Sequence, residues 1–444
     1  MWFTRWRCAA TAVAITVTLP LVSCGTIGPE DSTSAPPEST APPAATPGNS
    51  YEAIRTEGLN ALLAEWADAQ RTGDPEALTR LFHPDADPDF VESERRKAVH
   101  LDDVPLREWR YELTSAPEIF VPAEIADRID ARDVWAPSLQ LVYQLTADHA
   151  ATSLPVGLIV ARVGDEWLLV SDSDVTTDAR TWRGPWDFGP VITETVTWQG
   201  AESLVLGHPG DQDVVSDTVA ELEEALEDVD RFWRSEWEGR VVVFVSQTEE
   251  EFSALTGGAH DNASAAAVAI ADPERDSSGA ATGQRIVLSA PVMRTLPDEA
   301  RAVVLRHELS HVVTRPKTGQ SSPLWLLEGT AEYAGRATAG VTLHEGASMV
   351  RALVRQFGPP DTLPRDDHFQ AGGETSALAY ELAWTFSVYL AETFGEAELP
   401  RVYYALAAPG AGPAVLEDRM RETTGRGLAE TVREWGAWLE REFA

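Results

Sequence analysis

The sequence predicts an α+β protein, and three observations carry that prediction. Helical periodicity opens the folded part at Tyr51 and gives way near Trp109 to short strand-like runs. Beyond residue 190 a second, smaller group of strand-like runs follows, and from Pro297 the chain reads as helix almost to its end. At 444 residues the chain is long enough for two or three units, each with a core of its own.

In chain order, residues 1–23 come first, with Arg5 and Arg7 ahead of the apolar run A-A-T-A-V-A-I-T-V-T-L-P-L-V. That run is too short to span a bilayer comfortably, so the segment reads as a signal peptide. It ends in L-V-S-C-G, which resembles the bacterial lipoprotein box. The resemblance implies cleavage between Ser23 and Cys24, lipid on Cys24, and a protein anchored on the extracytoplasmic face of the cell membrane. Cys8 and Cys24 are the two cysteines of the sequence, so the body after them has no thiol for a disulfide or a thiolate metal site. Residues 24–50 are rich in Pro, Ser, Thr and Ala without an apolar face, and read as a disordered tether.

Residues 51–180 form the first folded unit. Ile54, Leu59, Leu62, Leu63 and Trp66 recur at helical spacing, and Gly73-Asp74-Pro75 starts a short second helix through Leu78, Leu81 and Phe82. W-R-Y-E-L, V-W-A-P-S-L-Q-L-V-Y-Q-L, P-V-G-L-I-V-A-R-V and E-W-L-L-V-S-D then read as strands of a curled antiparallel sheet, with a hairpin turn at Gly164-Asp165. Helices followed by such strands, with the phrase A-E-W-A-D-A-Q-R-T-G-D-P-E-A-L-T-R-L-F, resemble the nuclear-transport-factor-2-like cone fold. His83, His100 and His149 lack metal-ligand spacing and read as structural or surface groups.

W-R-G-P-W-D-F-G-P, residues 182–190, has the composition of a junction. The second unit, residues 191–444, starts with V-I-T-E-T-V-T-W and E-S-L-V-L-G-H. A long amphipathic helix over 214–237 follows, then strand runs at R-V-V-V-F-V-S, A-A-A-V-A-I-A-D and Q-R-I-V-L-S, with a short helix at T-E-E-E-F-S-A-L. His208, His260 and His344 have no partner pattern and read as surface residues.

The formal net charge is −36, from 35 basic and 71 acidic residues. That balance argues against nucleic acid, because neutralising phosphates needs clustered Lys and Arg. It reads as a solvated acidic surface.

The chemistry is concentrated in V-V-L-R-H-E-L-S-H-V-V-T-R, residues 303–315. His307 and His311 lie one helical turn apart, so both imidazoles leave one face and can share an ion. Glu308 points beside that face, placed to take a proton from an activated water. A catalytic zinc wants a third protein ligand and one open position. Glu328, in P-L-W-L-L-E-G-T-A-E-Y-A, sits on an expected second helix 17 positions after His311. Glu332, one turn on, can accept the other ring N–H of a ligand histidine. The reverse assignment, Glu332 as ligand and Glu328 behind it, is also open to the spacing.

R-H-E-L-S-H-V-V followed by W-L-L-E-G-T-A-E-Y resembles the gluzincin metallopeptidases, most closely their peptidase-MA-like branch, kin to thermolysin and aminopeptidase N. The resemblance spans residues 286–334 well and about 200–442 loosely. It implies a zincin-type domain, in which a small mixed sheet and an active-site helix precede a mostly helical part. It further implies zinc on His307, His311 and Glu328, Glu308 as general base, and Glu332 as the acidic residue behind the ligands. It makes residues 265–272 the edge strand that pairs with an extended peptide or protein substrate. Tyr380, in S-A-L-A-Y-E-L-A-W, is the implied oxyanion donor, with His368 the alternative and Trp384 and Tyr389 left to the core. The aminopeptidase phrase G-A-M-E-N is absent, which favours endopeptidase action. The expectation is a lipid-anchored zinc peptidase, touching membrane through its anchor alone. The alternative is an envelope lipoprotein of the same fold that is catalytically silent and serves as a binding or scaffold module.

Overall fold

The computed structural model describes residues 50–116, 119–172, 181–257, 265–272, 281–410 and 412–443. The signal segment, Cys24, all but the last residue of the tether, and His260 lie outside the described residues.

Three helices come first: α1 (Ser50–Thr72), α2 (Pro75–Arg80) and α3 (Pro88–His100). The expected turn before α2 is a capped helix start. Asp74 accepts hydrogen bonds from the Glu76 and Ala77 amides at 2.9 Å each, and Pro75 occupies the first helical position. The sequence hides α3 because its buried face carries Glu94 and Lys97 beside Phe90 and Ala98.

Six strands follow: β1 (Leu106–Leu113), β2 (Asp133–Trp135), β3 (Leu139–Leu145), β4 (Thr152–Val156), β5 (Ile159–Val163) and β6 (Glu166–Ser171), with the short helix α4 (Ala123–Arg128) before β2. They form two antiparallel three-stranded sheets, ordered β1-β3-β4 and β2-β5-β6. Two runs that read as single strands are each divided between the sheets. Pro137 interrupts one, and Gly157 turns the other. Gly164, at φ +65°, makes the expected β5–β6 turn.

This unit's interior is filled. Trp66 stacks on Tyr111 with ring centroids 3.9 Å apart. Glu94 accepts from Trp66 Nε1 and Gln70 Nε2, and Lys97 bridges Glu94 and Asp187 at 2.7 and 3.0 Å. The junction joins that packing through α5 (Pro185–Phe188), whose Trp186 meets Trp109, Tyr143 and Trp182 edge-on. His100 Nδ1 lies 2.8 Å from the Trp186 carbonyl, His83 accepts from the Asp85 amide, and His149 is exposed beside Glu238. All three are structural or surface groups.

The second unit is built on a five-stranded mixed sheet, ordered β10-β11-β9-β8-β7. Its strands are β7 (Ile192–Trp198), β8 (Ala201–Gly207), β9 (Val242–Ser246), β10 (Ala267–Ile270) and β11 (Arg285–Ser289), with β8–β9 and β9–β11 parallel. Helices α6 (Gln212–Trp233), α7 (Glu249–Leu255) and α8 (Ala290–Met293) connect or follow these strands. The remainder is helical: α9 (Asp298–Thr314), α10 (Leu324–Thr338), α11 (Leu343–Gly346), α12 (Ser348–Phe357), α13 (Asp366–Gln370), α14 (Gly373–Phe394), α15 (Leu399–Ala407), α16 (Pro413–Thr424) and α17 (Leu428–Phe443). Among the described residues no helix is long and apolar enough to cross a membrane.

The two units are locked by buried polar contacts. Arg285 of β11 pairs with Asp148 at 2.7 Å, and Thr152 of β4 hydrogen-bonds Asp272 just past β10. A further lock corrects the expectation for His208, which is buried rather than on the surface. Its Nδ1 lies 2.9 Å from the Pro190 carbonyl and its Nε2 2.8 Å from Glu251 Oε1, which ties the junction to α7. Burial by itself lowers the His208 pKa, but the Glu251 carboxylate outweighs it and the net shift is upward. A histidine raised in this way contributes stability that is complete below its unfolded pKa, about 6.5, and fades as pH rises through the folded value. The urea-unfolding difference between wild type and His208→Gln is therefore expected to be largest at pH 5–6 and to shrink at higher pH. A difference flat across that range would mean that His208 is not protonated in the fold.

Candidate metal centre

The helix α9 carries V-V-L-R-H-E-L-S-H-V-V-T, and every residue from Val303 to Thr314 is buried. A helix buried on every face must find partners inside the protein for its polar members. Arg306 pairs with Asp228 at 2.8 Å and with Glu221, both on α6. Ser310 and Thr314 each donate a hydroxyl to the carbonyl four residues back, at 2.8 Å. His307, His311 and Glu308 remain, directed at α10 and β10.

Two glycines let α10 approach closely. An added Cβ on Gly335 would lie 2.8 Å from the Val303 carbonyl oxygen of α9, and one on Gly329 would lie 2.7 Å from the carbonyl carbon of Ala383 on α14. With α10 held between its neighbours, Glu328 is brought against both histidines. His307 Nε2 and His311 Nε2 are 3.1 Å apart, and Glu328 Oε2 lies 3.3 Å from the first and 3.5 Å from the second. Ligands about 2.0–2.1 Å from a tetrahedral ion stand roughly 3.3–3.4 Å apart, so the triangle has the edge lengths of a zinc site. Among the described residues neither Glu328 oxygen has a partner with hydrogen-bond geometry, which leaves them fit to bind an ion. His307, His311 and Glu328 are the one such donor group among the described residues. The alternative with Glu332 as ligand is not what the geometry adopts, since Glu332 Oε1 faces His307 Nδ1 at 3.5 Å, behind the ring.

The electrostatics follow the burial. Burial alone lowers the His307 pKa, yet Glu328 and Glu332 reverse this and push it up to about 10. Burial raises Glu328, and the two histidines override it, bringing the carboxyl down to about 2. Glu332 is lowered against its burial by Arg336 and then by His307. Glu308 differs, because burial holds its pKa above the usual carboxylate range while both histidines pull the other way. Its two oxygens make no full hydrogen bond, and the Ala269 amide faces them. The result is a proton acceptor of raised basicity beside a triangle of metal donors.

The strand β10 lies at the sheet edge, where the expected substrate-pairing strand was placed. The Ser289 amide bonds the Ala266 carbonyl, so the alternation of the ladder turns the Ala269 amide and carbonyl away from β11. Arg315, just past α9, donates to that Ala269 carbonyl at 2.5 Å. Both outward groups of Ala269 are thus engaged, its amide toward Glu308 and its carbonyl by Arg315. Tyr380 is buried on α14, edge-on to Phe369 and one turn before the Ala383 that packs on Gly329. His368 is half-exposed on α13, 3.8 Å from Asp367, and Trp384 and Tyr389 are buried in the core.

No protein-family model matches this sequence, and no curated protein does. Solved structures with some similarity include an M1 zinc metallopeptidase point mutant from Deinococcus radiodurans, at TM-score 0.36 and 14% identity over 65% of this chain and 56% of that one. The same mutant bound to a Tyr-Ser-Ala substrate gives TM-score 0.35 and 13% identity over the same shares. Native yeast LTA4 hydrolase gives 0.33 and 13% over 67% of this chain and 49% of that one. The chain thus matches about half the length of these structures.

Proposed function

We propose that this chain is a zinc-dependent peptidase, anchored outside the cytoplasmic membrane through lipid on Cys24, with endopeptidase rather than aminopeptidase action. One observation carries the catalytic reading: the donor triangle of His307, His311 and Glu328 stands beside a buried carboxylate, Glu308, whose oxygens have no full hydrogen bond. The donor set of two imidazoles and one carboxylate fits zinc and leaves a fourth position open. Zinc held there supplies the Lewis acidity that makes water nucleophilic near neutral pH and polarises a carbonyl.

The chain's own groups do the rest. Glu308 takes the proton from the attacking water as a base and, once protonated, stands beside the site to return it to the leaving amine. Glu332 holds the His307 ring from behind. The edge of β10 aligns an extended peptide beside Glu308, with the peptide taking over the Ala269 carbonyl that Arg315 holds in its absence. We assign the oxyanion donor to Tyr380 on the resemblance of S-A-L-A-Y-E-L-A-W to the later helix of the gluzincins. Tyr380→Phe should then lower kcat by roughly 10–1000-fold with KM little changed. An unchanged kcat would remove Tyr380 from the mechanism.

The test of the function is metal content together with cleavage. The purified protein is expected to hold one zinc and to cut members of a peptide library, to lose activity on chelation, and to regain it with added zinc. Zinc binding without any cleavage would favour the binding or scaffold role, and absence of zinc would end both readings.

A further inference from the structure

Arg336 is a buried cation that the proposed chemistry leaves unused. It lies on α10 one turn after Glu332 and two turns after Glu328. Its Nε donates to Glu332 Oε2, and its Nη1 donates to the Gly346 carbonyl at 3.2 Å, at the end of α11. Its guanidinium lies over the Trp384 ring of α14, 4.5 Å from the centroid. Trp384 in turn presses on Gly346, where an added Cβ would come within 2.5 Å of the ring. The cation is therefore held by α10, α11 and α14 at once. Glu332 spends one oxygen on this cation and turns the other to His307 Nδ1.

We infer that Arg336 is a positioning residue for the metal centre, acting through Glu332 to fix the His307 ring with Nε2 toward the ion. The inference rests on the metal centre proposed above, though not on peptidase activity. A buried carboxylate holds one orientation when its oxygens are engaged by different partners, and here Arg336 anchors one and leaves the other for the ring. Without the guanidinium, Glu332 Oε2 loses its donor and the carboxylate turns, which takes Oε1 away from its place 3.5 Å from His307 Nδ1. A planar fork that stacks and donates in two directions suits this task better than an ammonium.

The experiment measures zinc affinity by competition with a chromophoric chelator for wild type, Arg336→Met, Glu332→Gln and the double variant. Each single change is expected to weaken zinc binding by roughly 10–100-fold. The double variant is expected to be no weaker than the worse single. Losses that multiply in the double variant would overturn the inference, because Arg336 would then act by packing on Trp384 and Gly346 alone. Wild-type affinity in Arg336→Met would overturn it too. Melting of the metal-free proteins checks the fold. If Arg336→Met does not fold, Arg336→Lys replaces it, with a smaller loss expected that likewise vanishes in the Glu332→Gln background. A wild type that binds no zinc would remove the metal centre itself, a result distinct from either of these.

Discussion

Glu308→Gln is expected to slow peptide-bond hydrolysis by about 100- to 10,000-fold while the protein keeps its zinc. Glutamine preserves the size and shape of the side chain but cannot accept the proton. The ligand triangle is made by other residues, so metal content should equal that of wild type. Stability should not fall. Burial keeps the Glu308 carboxyl above its usual pKa, so the fold works against its charged form, and a neutral amide removes that penalty. Three measurements check the set: cleavage rate, zinc per chain, and the thermal midpoint. A variant that keeps both its zinc and its rate would show that another group takes the proton.

Gly329→Ala is expected to be the most damaging small change in the second unit. Its Cβ would meet the backbone of Ala383, 2.7 Å from the carbonyl carbon and 3.0 Å from Cβ, and would come against the carbonyl oxygen as well. The carbonyl atoms are backbone in the middle of α14 and an alanine Cβ cannot swing away, so the helices must part. Overpacking of this sort costs roughly 1–3 kcal/mol, sometimes more. The neighbouring residue is Glu328, so any shift of α10 also opens the donor triangle. Lower stability in the presence of chelator and weaker zinc binding should therefore appear together. Wild-type values for both would mean that α10 and α14 have slack that the packing does not show.

The metal centre was largely legible in the sequence because its logic is local. His307 and His311 share a face by helical geometry alone, and Glu328 and Glu332 share one by the same rule. Local spacing did not say which glutamate meets the ion, and the packing of α10 on α9 chose Glu328. In the sequence His208 reads as a surface group, because its partner, Glu251, is 43 positions away and nothing near it signals burial. The strand runs through Pro137 and Gly157 were read as continuous because their flanks are apolar on both sides of the break. Arg336 offers the sequence only its i,i+4 spacing from Glu332, since Gly346 and Trp384 come from two other helices that periodicity cannot bring to it.

By itself, the sequence determined the α+β order, most of the elements and the residues able to bind a metal. Those follow from side-chain period, capping and turn residues, and helix spacing, all of which act within a few positions along the chain. Tertiary structure alone decided that β10 lies at an edge beside Glu308, that Glu328 completes the triangle, and that the first unit is locked onto the second by Asp148 and Arg285. These depend on close approach between distant segments, set by glycines at crossings and by buried charges finding partners. No short window of sequence contains both sides of such a contact.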